Sequence, residues 1–175
     1  NRDYGFKTMC FLNESTGWVG GSDGLYFTDD GLNSLELIHQ DTMQFYEIDF
    51  VSENIGWAIL GANNSTRSIA LTRDGGVSWK IMDAISENCW DMEVVSDDVV
   101  YLSTSANILK TVDGGENWNI LVAGDSTQIK RLSFITSEKG LRYGENQVFT
   151  THDGGVSWDS IMFPEIVGFK KVEYL

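Results

Sequence analysis

Counting back by twos from Phe11, Phe50, Val94 and Phe134 meets Met9, then Ile48 and Tyr46, then Met92 and Trp90, then Leu132. Apolar residues at every second position mark a half-buried β-strand. A polar turn follows each of these strands, as in Asn13-Glu14-Ser15-Thr16 and Thr136-Ser137-Glu138-Lys139. A second strand then opens on Gly17-Trp18, Gly56-Trp57, Val100-Tyr101 or Gly140-Leu141. Further apolar stretches, such as Leu25-Tyr26-Phe27 and Ile108-Leu109-Lys110, predict a third strand, and the residues after Trp79 and Trp118 a fourth. No helical periodicity competes with this pattern.

Between the third and fourth strands stands the phrase Thr-x-Asp-Gly-Gly-x-x-Trp. It is intact at Thr72–Trp79, Thr111–Trp118 and Thr151–Trp158, and decayed at Thr28–Leu35. Asp74, Asp113 and Asp153 follow one another at steps of 39 and 40 residues, and Asp30 is the aspartate of the decayed copy. A period of about 40 residues holding four short antiparallel strands is that of a propeller blade. The expected fold is therefore all-β: a β-propeller of four-stranded antiparallel blades, four blades plus the first strand of a fifth, as part of a larger ring. The blades are placed at about 4–40, 44–84, 88–123 and 128–163, with the extra strand at 168–175, all in one propeller spanning 1–175. Completion by a second chain and closure as a small ring are the alternatives; an incomplete ring would expose apolar blade faces and self-associate.

The residue types of the phrase explain one another as a hairpin device. Aspartate accepts backbone N–H groups just ahead, glycine supplies positive φ, and the hydroxyl adds a local bond. Trp79, Trp118 and Trp158 are expected to return into the apolar layer, where burying such a ring contributes about 2–3 kcal/mol. Repeats spread around a ring cannot bring equivalent aspartates to one substrate, so Asp30, Asp74, Asp113 and Asp153 are read as structural. A calcium loop would need further carboxylates and a terminal glutamate, which the phrase lacks. No metal and no cofactor is expected.

The phrase resembles the Asp-box, or bacterial neuraminidase repeat. The blade as a whole is similar to the repeat of photosystem II stability/assembly-factor propellers. That resemblance covers nearly the whole chain and implies the fold, while its members include enzymes, receptors and assembly factors. Sialidases with Asp-boxes clamp a carboxylate with three arginines and carry an Arg-Ile-Pro phrase. This chain has five arginines (Arg2, Arg67, Arg73, Arg131, Arg142) and no such phrase. Xyloglucan-hydrolysing relatives set two aspartates across two seven-bladed propellers, more than 175 residues supply. The assembly factors use an arginine-rich face, from which this chain departs.

Charge narrows the partners. With 26 Asp and Glu against 12 Lys and Arg, the net charge is −14, a field that repels nucleic acid and anionic lipid. No apolar run reaches the ~18 residues of a membrane span, so no membrane insertion is expected. The chain opens at Asn1, not methionine, and an upstream piece is expected. Cys10 and Cys89 are read as isolated thiols, with a bridge between them as the alternative.

The expected function is a non-catalytic ligand- or protein-binding scaffold propeller of the envelope or exterior (secreted, periplasmic or surface). Its partner is an unidentified protein or glycan; a sialidase-like or xyloglucanase-like glycoside hydrolase fragment is the alternative. In a four-stranded meander the first and third turns share one end, and the second turns and blade connections the other, where propellers bind. His39, Asp41, Arg67, Trp90 and Gln128 are the ligand-face candidates there. Trp90 shares its parity with Met92 and Val94, which favours core packing over stacking on a sugar. The connection at Gly61–Ser68 is five residues longer than in the other copies, and Arg67 lies within it.

Overall fold

The computed structural model describes residues 5–40, 42–62, 66–82, 85–123, 131–144 and 147–161. Sixteen strands and no helix occur among them. The first blade holds β1 (Phe6–Phe11), β2 (Gly17–Gly21), β3 (Gly24–Thr28) and β4 (Glu36–His39), and the second β5 (Gln44–Phe50), β6 (Gly56–Gly61), β7 (Ser68–Thr72) and β8 (Lys80–Ile81). The third holds β9 (Cys89–Val94), β10 (Val100–Thr104), β11 (Asn107–Thr111) and β12 (Asn119–Ala123), and the fourth β13 (Arg131–Phe134), β14 (Gly140–Tyr143), β15 (Val148–Thr151) and β16 (Asp159–Ile161). Each is an antiparallel meander in sequence order. The chain divides into two units, 1–88 and 89–175, with two blades in each. The strand expected at 168–175 lies outside the described residues.

A pairing between the first two strands of a blade explains why the second opens on glycine. Phe11 faces Gly17, Phe50 faces Gly56 and Phe134 faces Gly140 across the ladder. The phenylalanine ring lies flat over the glycine: a Cβ on Gly56 would sit 2.5 Å from Phe50 Cδ1. The third blade has no ring at this place and no glycine; Val94 pairs with Val100. Phenylalanine with glycine, or valine with valine, fills the same volume.

The freed face of that ring carries the contact between blades. In the first unit the indole of Trp18 stacks on Phe50, centroids 3.8 Å apart and planes within 1°. In the second unit Tyr101 stacks on Phe134 at 3.6 Å and 9°. Trp18, Leu25, Phe45, Ile48, Phe50 and Leu60 form the core of the first unit, and Tyr101, Ile108, Leu132 and Phe134 that of the second.

The alternation read from sequence breaks at one repeated place. Phe6 pairs with Gly21 and Thr8 with Gly20, so Lys7 is skipped; Tyr46 is skipped between Phe45 and Glu47, and Trp90 between Cys89 and Asp91. A β-bulge therefore opens the inner strand of three blades, each four residues before the large apolar residue. An extra residue shifts the parity by one. Phe45 and Cys89 are consequently the buried residues, and Tyr46 and Trp90 are half-buried.

Candidate functional site

The aspartate hairpins close through one hydrogen-bond set. In the second blade Thr72 Oγ1 donates to Asp74 Oδ1 (2.8 Å) and accepts the Gly76 N–H (2.9 Å). Asp74 accepts the Ser78 N–H at Oδ1 (2.9 Å) and the Ser78 hydroxyl at Oδ2 (2.6 Å). Asp153 repeats this with Thr151 and Ser157, Asp113 with Thr111 and Asn117, and Asp30 with Thr28 and Ser34. Both motif glycines have positive φ, 72° and 95° at Gly75 and Gly76. In the decayed copy Leu32 holds φ 70°, a left-handed residue that costs a side chain about 1 kcal/mol. Hydrogen bonds from the Ser or Asn four residues on hold all four carboxyls below their ordinary range, Asp153 at about 2.

Each hairpin is tied to the first turn of its own blade, since Gly31, Gly75, Gly114 and Gly154 donate N–H to Ser15, Asn54, Asp98 and Glu138. The indoles of Trp79 and Trp158 donate to Gly76 and Gly155, and the Trp79 ring stands edge-on to Phe45 and Phe50. Trp118 is half-buried at the corresponding place. The second strand of the preceding blade adds a further tie: Trp18 Nε1 donates to Gly75 O (2.9 Å). In the second unit the Tyr101 hydroxyl lies 2.7 Å from Ser137 O and 3.2 Å from Gly154 O.

The inner strands are also stitched. Thr8 Oγ1 accepts the Ile48 N–H, and Cys10 Sγ accepts that of Phe50. In the second unit Asp91 accepts the Leu132 N–H (2.7 Å) and pairs with Arg131 (2.8 Å). Burial pushes the Asp91 carboxyl up, against the lowering by Leu132 and Arg131. Burial likewise pushes the Cys10 thiol to about 11. Both cysteines are free thiols.

The ligand-face candidates fall out differently. His39, half-buried at the end of β4, has Nδ1 2.9 Å from Val77 O in the neighbouring hairpin and its ring edge-on to Phe45. A carbonyl only accepts, so Nδ1 carries the proton. Trp90 is the bulged residue of β9 in the second unit. Asp41 and Gln128 lie outside the described residues. Arg67 stands just before β7 with its guanidinium carbon 4.0 Å from the centroid of the Tyr46 ring.

Arg67 is not alone on that ring. Lys7 Nζ lies 4.1 Å from the same centroid and donates to Gln44 Oε1. Gln44 is buried, and the Arg67 N–H is held by Asn88 Oδ1 at 2.8 Å. The register sets Lys7 beside Gly20 and Gly21, and Tyr46 beside Ile59 and Leu60, at the strand ends remote from the hairpin turns. Sequence reading passed over Lys7 and Tyr46 because strict alternation assigned Tyr46 to the core. The available signal was the register position itself, occupied by Lys7, Tyr46 and Trp90. A position that alternates between aromatic and cation does not belong to an apolar layer. Among the described residues no three His, Cys, Asp or Glu side chains cluster as metal ligands, and no helix is long and apolar enough to cross a membrane.

Four-stranded meanders repeated at this period, with β1 packed on β5 in the first unit and β9 on β13 in the second, match known structures. The blades are those of a β-propeller. YCF48 bound to D1 peptide aligns over 90% of this chain and 54% of its own, with TM-score 0.64 and 20% identity. YCF48 from Cyanidioschyzon merolae aligns over 91% and 56%, with TM-score 0.68 and 19% identity. An ancestral GH74 enzyme aligns over 89% and 25%, with TM-score 0.67 and 17% identity. The chain thus spans about half the length of the YCF48 structures and a quarter of that enzyme. No protein-family model and no curated protein matches it.

Proposed function

We propose that this chain is a non-catalytic, protein-binding scaffold of the cell envelope or exterior, built from Asp-box blades. The observation that carries this reading is the state of its repeated carboxylates. All four motif aspartates accept bonds within their own hairpins and are held ionised. A glycosidase needs one carboxyl raised to serve as acid, facing a second across the scissile bond. Among the described residues the carboxyl pushed up is Asp91, which is buried between inner strands and engaged by Leu132 and Arg131. A peptide complex of a similarly folded propeller supports the binding reading over a catalytic one.

The test pairs a peptide array with turnover assays on sialoside and xyloglucan oligosaccharides. Saturable binding to defined peptides without turnover is the expected result. Turnover abolished by substituting one carboxylate would reverse the order in favour of a hydrolase fragment.

A further inference from the structure

We propose that Lys7, Tyr46 and Arg67 form a subsite for a single carboxylate of a bound peptide, an inference that rests on the protein-binding reading above. Two neighbouring copies of the repeated bulge and the one lengthened connection meet at this place. The bulges of β1 and β5 carry Lys7 and Tyr46 out of the pleat, and the long connection of the second blade supplies Arg67. Bulges re-aim side chains and are concentrated beside functional sites.

The parts are held in place, not merely near one another. Gln44, 7% exposed, anchors the Lys7 ammonium from below, and Asn88 fixes the Arg67 backbone. Gly61 gives the Arg67 stem room: a Cβ there would lie 3.1 Å from Arg67 Cγ and 3.4 Å from Tyr46 Cε2. A guanidinium held against a ring face can still offer a carboxylate two parallel N–H bonds. Lys7 adds a second positive donor to the same ring.

Charge selects the ligand. Among the described residues no carboxylate pairs with Lys7 or Arg67, in a chain of net charge −14. Both cations lie within about 4 Å of the Tyr46 centroid, so an anion at the edge of that ring meets positive charge from each. The field of the whole chain works against polyanions, so a lone carboxylate fits where a nucleic acid or polyphosphate does not.

The experiment is a ¹⁵N NMR titration of the full chain, following the Arg67 Nε–H resonance, with the amidated peptide Ser-Ala-Glu-Ala-Ser and its Gln analogue. Saturable movement with the Glu peptide is expected, at least about tenfold tighter than with the Gln peptide and weakening as ionic strength passes about 0.1 M. Lys7→Gln is expected to weaken it about tenfold, and Gly61→Ala, which crowds the Arg67 stem without removing charge, to weaken it as well. Equal response to both peptides, unchanged affinity in Lys7→Gln, or capture of sialyllactose in place of the peptide would each overturn the proposal. If array peptides bind with undiminished affinity to Lys7→Gln, the subsite alone is wrong; if no peptide binds at all, the protein-binding reading falls with it.

Discussion

Replacing Gly56 by valine isolates the device that sets blade against blade. A Cβ at Gly56 would lie 2.5 Å from Phe50 Cδ1 and Cε1 and 2.7 Å from Cγ, about 1 Å inside ordinary carbon contact. The ring cannot retreat, because the Trp18 indole lies 3.8 Å behind it and parallel within 1°. Gly56 has no positive φ, so backbone strain plays no part and the cost is steric. Removing a glycine at a compatible site stabilises by about 0.4–1 kcal/mol through the unfolded chain. Overpacking costs about 1–3 kcal/mol, and here three ring carbons clash, so Gly56→Val should lose about 3 kcal/mol. Phe50→Val alone should lose about 2–3 kcal/mol by leaving a cavity against Trp18. The double variant recreates the Val94–Val100 pair of the third blade, so its loss should fall short of the sum by at least about 1 kcal/mol. Urea unfolding of the four proteins measures this coupling. Additivity within about 0.5 kcal/mol would refute the claim that ring and glycine are one unit.

Two further outcomes follow from the hairpins. Tyr101→Phe keeps the stack on Phe134 and removes the hydroxyl from Ser137 O, which retains its bond from Lys110 Nζ, and should cost about 0.5–1.5 kcal/mol in urea unfolding; a value near zero would remove the hydroxyl from the tie. Asp153 sits at about 2 in the folded chain, below its ordinary 3.8, so its contribution is complete above pH 3.8 and is lost as pH falls through about 2. Carboxyl NMR titration should show that low midpoint and an upward move in Ser157→Ala; a wild-type midpoint at 3.8 would contradict the geometry.

How much was legible in advance depended on whether a residue's role is local. The hairpin is made by residues two to four apart, so Thr72, Asp74, Gly76 and Ser78 announce their bonds by spacing. The strand order and turn pairing followed from the repeat, and the shared end of first and third turns appears as the Gly75 N–H to Asn54 O bond. The tie from Trp18 to Gly75 spans 57 residues and has no local signature, although Trp18 was visible as a repeated aromatic. His39 was placed on an open face by topology, while its bond to Val77 depends on how the neighbouring hairpin folds back. The bulges were missed because counting by twos assumes an unbroken pleat. That single assumption misassigned Tyr46 and hid Lys7, which together with Arg67 are the most distinctive side chains of the first unit.

The repeat also supplies a contrast between residues that sequence treats as equals. Met9 and Ile48 hold the same place in the first and second blades, yet Met9 is 65% exposed and Ile48 4%. Phe11 and Phe50 differ likewise, at 37% and 4%. Ile48 is covered because the second blade packs on the first, with Thr8 bonded to its N–H; within the first unit no described strand covers the corresponding face of β1. A charge at Met9 stays in water, so Met9→Asp should change stability by no more than about 0.5 kcal/mol. Ile48→Asp places a carboxylate in the apolar seam and should cost more than about 4 kcal/mol, enough to unfold the first unit. Thermal unfolding of the two variants reads the difference, and sedimentation adds a second reading. If Met9→Asp destabilises as severely as Ile48→Asp, or lowers the molecular mass in solution, then the β1 face is covered by another molecule and its exposure in the single chain is not its state at working concentration.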